Sequence, residues 1–305
     1  MKYEKEFTVA LAGNPNVGKS TVFNALTGLK QHTGNWVGKT VGNAAGSYTY
    51  NNNKYLITDL PGTYSLCAHS AEEIIACRHI CLEKPDVTVI VCDASCLERN
   101  LNLVLQITEI TSKAVLCVNM MDEAEKKNIK TDITKLSQQL GIPVAATSAR
   151  SKKGLDKLMQ AIESVALSKE SNDITLVYTS RIENAISQLL PLTEKIETDS
   201  RTKRFICLKL LQGDSDTVDS LCKKHGTDDN YLKALISAAD RLTVNNFTDE
   251  IISCIFITAE GIAAEGVKRS ANKKQVRDRK IDRILTGKLT GIPICLLYTS
   301  DAADE

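Results

Sequence analysis

The sequence predicts an α/β fold, a mostly parallel sheet with helices on both faces, followed by a small all-α unit. Three observations carry that expectation. Apolar strand-like runs alternate with helical patterns up to about residue 167. A glycine-rich turn joins the first run to the first helix. Beyond residue 168 the strand-like runs cease.

Each element has its own signal. "FTVALAG" (7–13) is a near-continuous apolar strand, and a helix opens at Lys19. "GSYTY" and "KYLITDL" form a strand pair joined by the turn-forming "NNN" of 51–53. A helix starts near Ser70, where Ser70 and Glu73 have capping-box spacing. Then come a strand "DVTVIVCD" (86–93), a helix from about Glu98, a strand "AVLCVNM" (114–120) and a helix from about Thr131. The strand "IPVAATS" (142–148) and a helix from about Gly154 complete the first unit. "SKESNDI" (168–174) reads as a linker. After it, "RIENAISQLLPLTEKIE", "RFICLKLLQ", "DSDTVDSLCKKHG", "YLKALISAADRL" and "DEIISCIFITAEGIAAEGVKR" read as helices. The expected organisation is therefore 1–167, 168–270, a basic segment 271–294 and an aberrant tail 295–305.

Composition narrows the function. A formal net charge of +1 gives no global reason to expect a nucleic-acid binder. The ten cysteines are scattered, and the charged start "MKYEKEF" does not resemble a signal peptide, so reduced cytosolic thiols are expected. Cys67, His69, Cys77, His79 and Cys81 invite a metal-site reading, yet their spacing suits helix packing better. No apolar run of about 18 residues exists to span a bilayer.

"GNPNVGKST" (13–21) carries the chemistry. Gly13 and Gly18 let the backbone turn so that successive N–H groups of the loop, through Asn14, Asn16 and Val17, face a phosphate. The helix that follows, with Thr21 in its first turn, adds its positive end. Lys19 reaches the outer phosphates, and the Ser20 hydroxyl is a Mg²⁺ ligand. "NMMD" (119–122) reads the base. Asp122 accepts both donors of the guanine edge, Asn119 ties this loop to the phosphate loop, and Met120 lies between them. Adenine would leave the carboxylate unmatched. "TSA", Thr147, Ser148 and Ala149, supplies a backbone N–H to the guanine carbonyl. "DLPG" (59–62) is a switch: Asp59 holds the Mg²⁺ shell, and the Gly62 N–H contacts a γ-phosphate. Thr40 is the hydroxyl best placed to close over Mg²⁺, with Thr33 as runner-up. These motifs define an α/β P-loop GTPase that uses GTP/GDP and Mg²⁺.

Together "GNPNVGKST", "TGNWVGKTVG", "DLPGTYSL", "DASCLERNL" and "NMMDEA" resemble the cytosolic G domain of FeoB-type ferrous iron transporters. "RFICLKLLQGD" (204–214) and "FITAEGIAAEGV" (256–267) resemble that family's helical domain, and "DRKIDRILTGKLTGIPI" (278–294) resembles its lead-in to the first membrane helix. The resemblance implies a K⁺-assisted GTPase coupled to Fe²⁺ uptake. Its catalytic set would be Lys19, Thr40, Gly62 and Asn16. Asn16 would ligate K⁺, with backbone carbonyls around Gly34 and Trp36. Thr63 is a poor water-positioning group, which fits a need for added positive charge. Lys39 and "GNAAG" depart from the family pattern. The implied partners are the chain's own membrane domain and small accessory proteins, with homo-oligomers allowed and no nucleic acid. The stretch 268–288 carries nine basic and two acidic side chains, as expected at the cytoplasmic face of a cell membrane. The tail "TSDAADE" does not look like that family's continuation, so a truncated fragment is expected. The alternative is a free-standing soluble GTPase of ribosome assembly or RNA modification.

Overall fold

A computed structural model describes residues 3–28, 44–66, 70–168, 176–242 and 247–269 of the chain. The central sheet has the order β2-β3-β1-β4-β5-β7. Its strands are β1 (Glu6–Gly13), β2 (Ala44–Tyr50), β3 (Asn53–Asp59), β4 (Val87–Asp93), β5 (Ala114–Asn119) and β7 (Val144–Ala146). All neighbours pair in parallel except β2, which runs antiparallel to β3. That hairpin closes through Asn51 and Asn52, both at positive φ (46° and 61°). A two-residue hairpin turn of this kind suits asparagine, whose short polar side chain tolerates the left-handed region.

Successive strand residues point to opposite faces, so the inner strands feed two cores. Val9, Leu11, Val89, Val91 and Val115 face α1 (Lys19–Thr27) and α6 (Leu155–Leu167). Ala10, Ala12, Ile90, Leu116 and Val118 face the other side, with α2 (Ala71–Arg78), α3 (Leu97–Ile110) and α5 (Ile133–Leu140). The Ser70 capping box forms, with Glu73 N–H on Ser70 Oγ at 3.2 Å and Ser70 N–H on Glu73 Oε2 at 3.3 Å. A π-helical turn, His79–Glu83, extends α2. It places the Cys77 and Cys81 sulfurs 3.8 Å apart inside the core. Among the described residues no group of three or more His, Cys, Asp or Glu gathers as a metal site, and the described cysteines are free thiols. Cys67 and His69 lie outside the described residues.

The second core does not stop at the first unit. It continues into α7 (Ser180–Leu189), α8 (Ser200–Leu211), α9 (Ser215–Lys224), α10 (Asp229–Leu242) and α11 (Phe247–Gly266). Both α8 and α11 pack on α3. Ionisable groups sit at this joint. Glu109 of α3 is 4% exposed and accepts the Leu176 N–H at 2.8 Å. Arg204 of α8 pairs with Glu183 at 2.7 Å and donates to the Leu176 carbonyl at 3.1 Å.

Three short elements depart from the sequence expectation. Met121–Lys126 is a helix, α4, directly behind "NMM". Ile129–Thr131 is a strand, β6, so α5 begins at Ile133 and not at Thr131, with Asp132 as its cap. "VKR" does not prolong α11 but forms β8 (Val267–Arg269), antiparallel to β6. Asp132 N–H also donates to the Gly266 carbonyl at 2.8 Å. Three-residue strands show no measurable alternation, and their pairing spans more than a hundred residues, so local pattern does not reveal them.

Among the described residues no helix is long and apolar enough to cross a membrane. The basic segment 271–294 and the tail 295–305 lie outside the described residues.

Candidate nucleotide site

Every described site residue except those of Asp59–Gly62 and the base loops comes from the end of β1, the first turn of α1 or the loop that joins them. In that turn Asn16 takes a left-handed backbone (φ 66°) and is exposed. Gly18 is also left-handed (φ 81°), and a Cβ there would sit 2.5 Å from Asn119 Nδ2. The glycine is needed twice over, for the turn and for that approach.

Asn119, at the end of β5, is 2% exposed and knots three loops together. Its Nδ2 donates to the Val17 carbonyl at 3.1 Å, and its Oδ1 accepts from Thr147 Oγ1 at 3.1 Å and from the Ala149 N–H at 3.0 Å. Met120 takes φ 60° as it opens α4, and the Met121 N–H bonds the Thr147 carbonyl at 3.2 Å. The Asp122 N–H donates to Ser148 Oγ at 3.2 Å. The Ser148 hydroxyl pulls the Asp122 carboxyl below its ordinary value, which favours the ionised form.

On the phosphate side Lys19 Nζ donates to Asp59 Oδ1 and to the Leu60 carbonyl. Ser20 Oγ lies 3.4 Å from Asp59 Oδ2. Burial pushes the Asp59 carboxyl up, and Lys19 and Ser20 pull it back. The sequence alone places Lys19 on outer phosphates; here its ammonium is held by the carboxylate. A Cβ on Gly62 would meet Pro15 Cα at 3.3 Å, so the "DLPG" turn rides directly on the phosphate loop. The Thr63 N–H donates to the Gly13 carbonyl at 3.2 Å, and Thr63 itself is buried. Asn14 is 2% exposed, and neither polar atom of its amide has a partner. Gly34, Trp36, Thr40 and the runner-up Thr33 lie outside the described residues.

Some contacts had no sequence signal. Arg99 stacks over the exposed Tyr64 ring at 4.5 Å. Ser65 Oγ donates to Glu73 at 2.7 Å, and the Leu66 backbone is held by Gln106 and Lys209. All are side-chain contacts to a segment without secondary structure, made across 8 to 143 residues, and no spacing rule reaches them.

Comparison with known proteins follows this geometry. Residues 7–162 match the family model of ferrous iron transport protein B, and residues 178–268 match that of the FeoB cytosolic helical domain. The Fe(2+) transport protein A/Fe(2+) transporter FeoB fusion protein of Porphyromonas gingivalis is 36% identical, over 95% of this chain and 35% of its own length. The Fe(2+) transporter FeoB of Escherichia coli is 38% identical, over 69% of this chain and 27% of its own length. The chain thus spans a minor part of the curated relatives it matches. The cytosolic domain of the T. maritima FeoB iron transporter in a GDP form superposes with a TM-score of 0.69, at 31% identity, covering 86% of this chain and 100% of that one. The same domain in its GMPPNP form gives 0.68 at 30% identity, with the same coverage. A GDP-bound mutant of the S. thermophilus FeoB G-domain gives 0.70 at 30% identity, covering 86% and 100%. Both halves of the chain match one transporter family, which does not favour the alternative of a free-standing soluble GTPase of ribosome assembly or RNA modification. A P-loop GTPase fold joined to this helical unit places the chain in the ferrous iron transport protein B family, as its N-terminal G domain and cytosolic helical domain.

Proposed function

We propose that this chain binds and hydrolyses GTP as the cytoplasmic head of a ferrous iron transporter, and that its switch segments pass the nucleotide state to a membrane domain. The single observation that carries the reading is the Asn119 knot. One buried amide holds the phosphate loop, the base-reading loop and the Thr147–Ala149 loop in register, with the ionised Asp122 at the rim. A purine bearing a ring N–H beside an exocyclic amine matches that carboxylate, and guanine has both.

The residues present fit the cations of such a site. Asp59 and Ser20 bring hard oxygen donors within 3.4 Å of each other, as Mg²⁺ requires. With Thr40 they would hold it, and Mg²⁺ would supply charge neutralisation at the outer phosphates. Lys19 changes partner when a triphosphate arrives, from Asp59 and Leu60 to phosphate oxygen. Asp59 is then released for the metal shell. Thr63 is buried with its N–H on Gly13, so no side chain at that position orients water. Backbone donation from Gly62 would contribute to the remaining stabilisation of charge, and the exposed Asn16 amide would hold a monovalent cation that adds to it. In the full-length protein the next segment is membrane-embedded, and Fe²⁺ is the cargo. The P. gingivalis relative is fused to transport protein A, and we propose a small accessory partner of that kind here.

The test is base discrimination. Asp122→Asn should lower GTP affinity by at least about 100-fold and favour XTP, because the site loses its matched acceptor pair. Unchanged preference for GTP over XTP would remove the assignment.

A further inference from the structure

"RFICLKLLQGD" carries part of the family resemblance but takes no part in the nucleotide site. Its lysine, Lys209, is 3% exposed and donates to the Leu66 carbonyl at 2.7 Å. Its counter-charge is Asp214, 3.1 Å away. The other carboxylate oxygen of Asp214 accepts the Thr217 N–H at 3.1 Å and caps α9. The Leu66 N–H, meanwhile, donates to Gln106 of α3 at 2.7 Å. Leu66 closes the segment "DLPGTYSL". Its backbone is therefore gripped on one side by the G domain and on the other by the helical domain.

A lysine is a costly way to fill that space. Replacing a buried ion pair by well-packed apolar groups is often neutral or stabilising. The neighbouring positions of α8, Phe205, Ile206, Leu208 and Leu210, are buried and apolar. What a lysine adds is a donor for a carbonyl that no strand or helix satisfies. The other end of the segment is also fixed, through Lys19 on Leu60 and through the Thr63 N–H on Gly13. Gly62 lies between the Leu60 and Thr63 contacts, and Leu66 is the next fixed point, three residues beyond Thr63. The Leu66 anchor therefore limits how the backbone can carry Thr63 onto Gly13, and through Thr63 where the Gly62 N–H arrives over the phosphate loop.

We propose that Lys209 is a positioning residue for GTP hydrolysis: by holding the Leu66 carbonyl, the helical domain fixes the pivot against which Gly62 is set. Lys209 acts through the backbone of Leu66 and touches no nucleotide. This assignment rests on the GTPase reading above, and the two fail differently.

The experiment compares wild type, Lys209→Met and Lys209→Arg in GTP hydrolysis, fluorescent GDP binding and thermal melting. Lys209→Met should lose about tenfold in kcat while KM and GDP affinity stay within about threefold, the signature of a group that acts on the reacting arrangement and not on binding. Lys209→Arg keeps a charged donor and should recover to within about threefold of wild type. A folded Lys209→Met with kcat within about twofold of wild type overturns the proposal. Should Lys209→Met melt more than about 10 °C lower, hydrogen exchange on wild type decides. Protection at residues 62–65 must then differ between GDP and a non-hydrolysable GTP analogue while Leu66 stays protected in both. Equal loss at Leu66 refutes a pivot there. A wild-type chain without GTPase activity counts against the function proposed above, whereas an active wild type matched by Lys209→Met counts against Lys209 alone.

Discussion

Asn119 tests whether the site is built before nucleotide arrives. Asn119→Ala deletes three hydrogen bonds at once, to the Val17 carbonyl, the Thr147 hydroxyl and the Ala149 N–H. The side chain is 2% exposed, so water does not reach these groups without rearrangement. A buried polar group stripped of its partner costs about 1–3 kcal/mol. The Thr147 hydroxyl also lies 3.3 Å from Cys117 Sγ and keeps that neighbour, so the full cost falls on Val17 and Ala149. The expected loss is about 3 kcal/mol of nucleotide-free stability, a large part of the 5–15 kcal/mol typical of a domain. Asn119→Asp can still accept from Thr147 and Ala149 but sets a buried carboxylate oxygen against the Val17 carbonyl, acceptor against acceptor, so it should cost at least as much as the alanine variant. The assay is urea unfolding of the nucleotide-free protein, with GDP affinity measured in parallel. If both variants unfold like wild type and only affinity falls, Asn119 contacts ligand without organising the site, and the reasoning is refuted.

Two further outcomes are expected. Burial raises the Glu109 carboxyl to about 7, against the pull of the Leu176 N–H and Arg204. The folded chain therefore keeps a proton that the unfolded chain releases between its ordinary carboxylate value and about 7, and stability declines as pH rises through that window. Glu109→Gln removes this decline, worth on the order of 3 kcal/mol, so its melting temperature relative to wild type should rise from pH 5 to pH 8; a pH-independent difference would contradict it. GTP hydrolysis should run faster in KCl than in NaCl at equal ionic strength, whereas equal rates would remove the role given to a cation at Asn16.

Much of this was legible in the sequence, because the informative features are local. The apolar runs of β1, β4 and β5 are buried on both faces, as a parallel sheet demands, and the motifs stand at strand ends where the loops converge. Asn119 could be tied to the phosphate loop from its motif. That it also binds Thr147 and Ala149 could not, because those partners lie across a later strand. The β6–β8 ribbon was invisible for a related reason: each strand has three residues, and neither has meaning without the other. The Lys19 contact to Asp59 was not legible either, because it joins residues 40 apart across the sheet and no motif spacing encodes it.

The joint between the two units shows what the long-range contacts are for. Glu109 and Lys209 are ionisable groups buried beside an apolar cluster, with the half-buried Arg204 between the units, where packing alone would favour hydrocarbon. Each of them bonds main chain that has no secondary structure. Glu109 takes the Leu176 N–H, Arg204 gives to the Leu176 carbonyl, and Lys209 gives to the Leu66 carbonyl. A ladder would satisfy those groups only by making the segments regular. Charged side chains satisfy them and leave the conformation irregular, at a cost in desolvation that their ion pairs to Glu183 and Asp214 offset in part. On the switch reading proposed above, that solution suits segment 60–66, anchored at Leu66 and left irregular around Gly62.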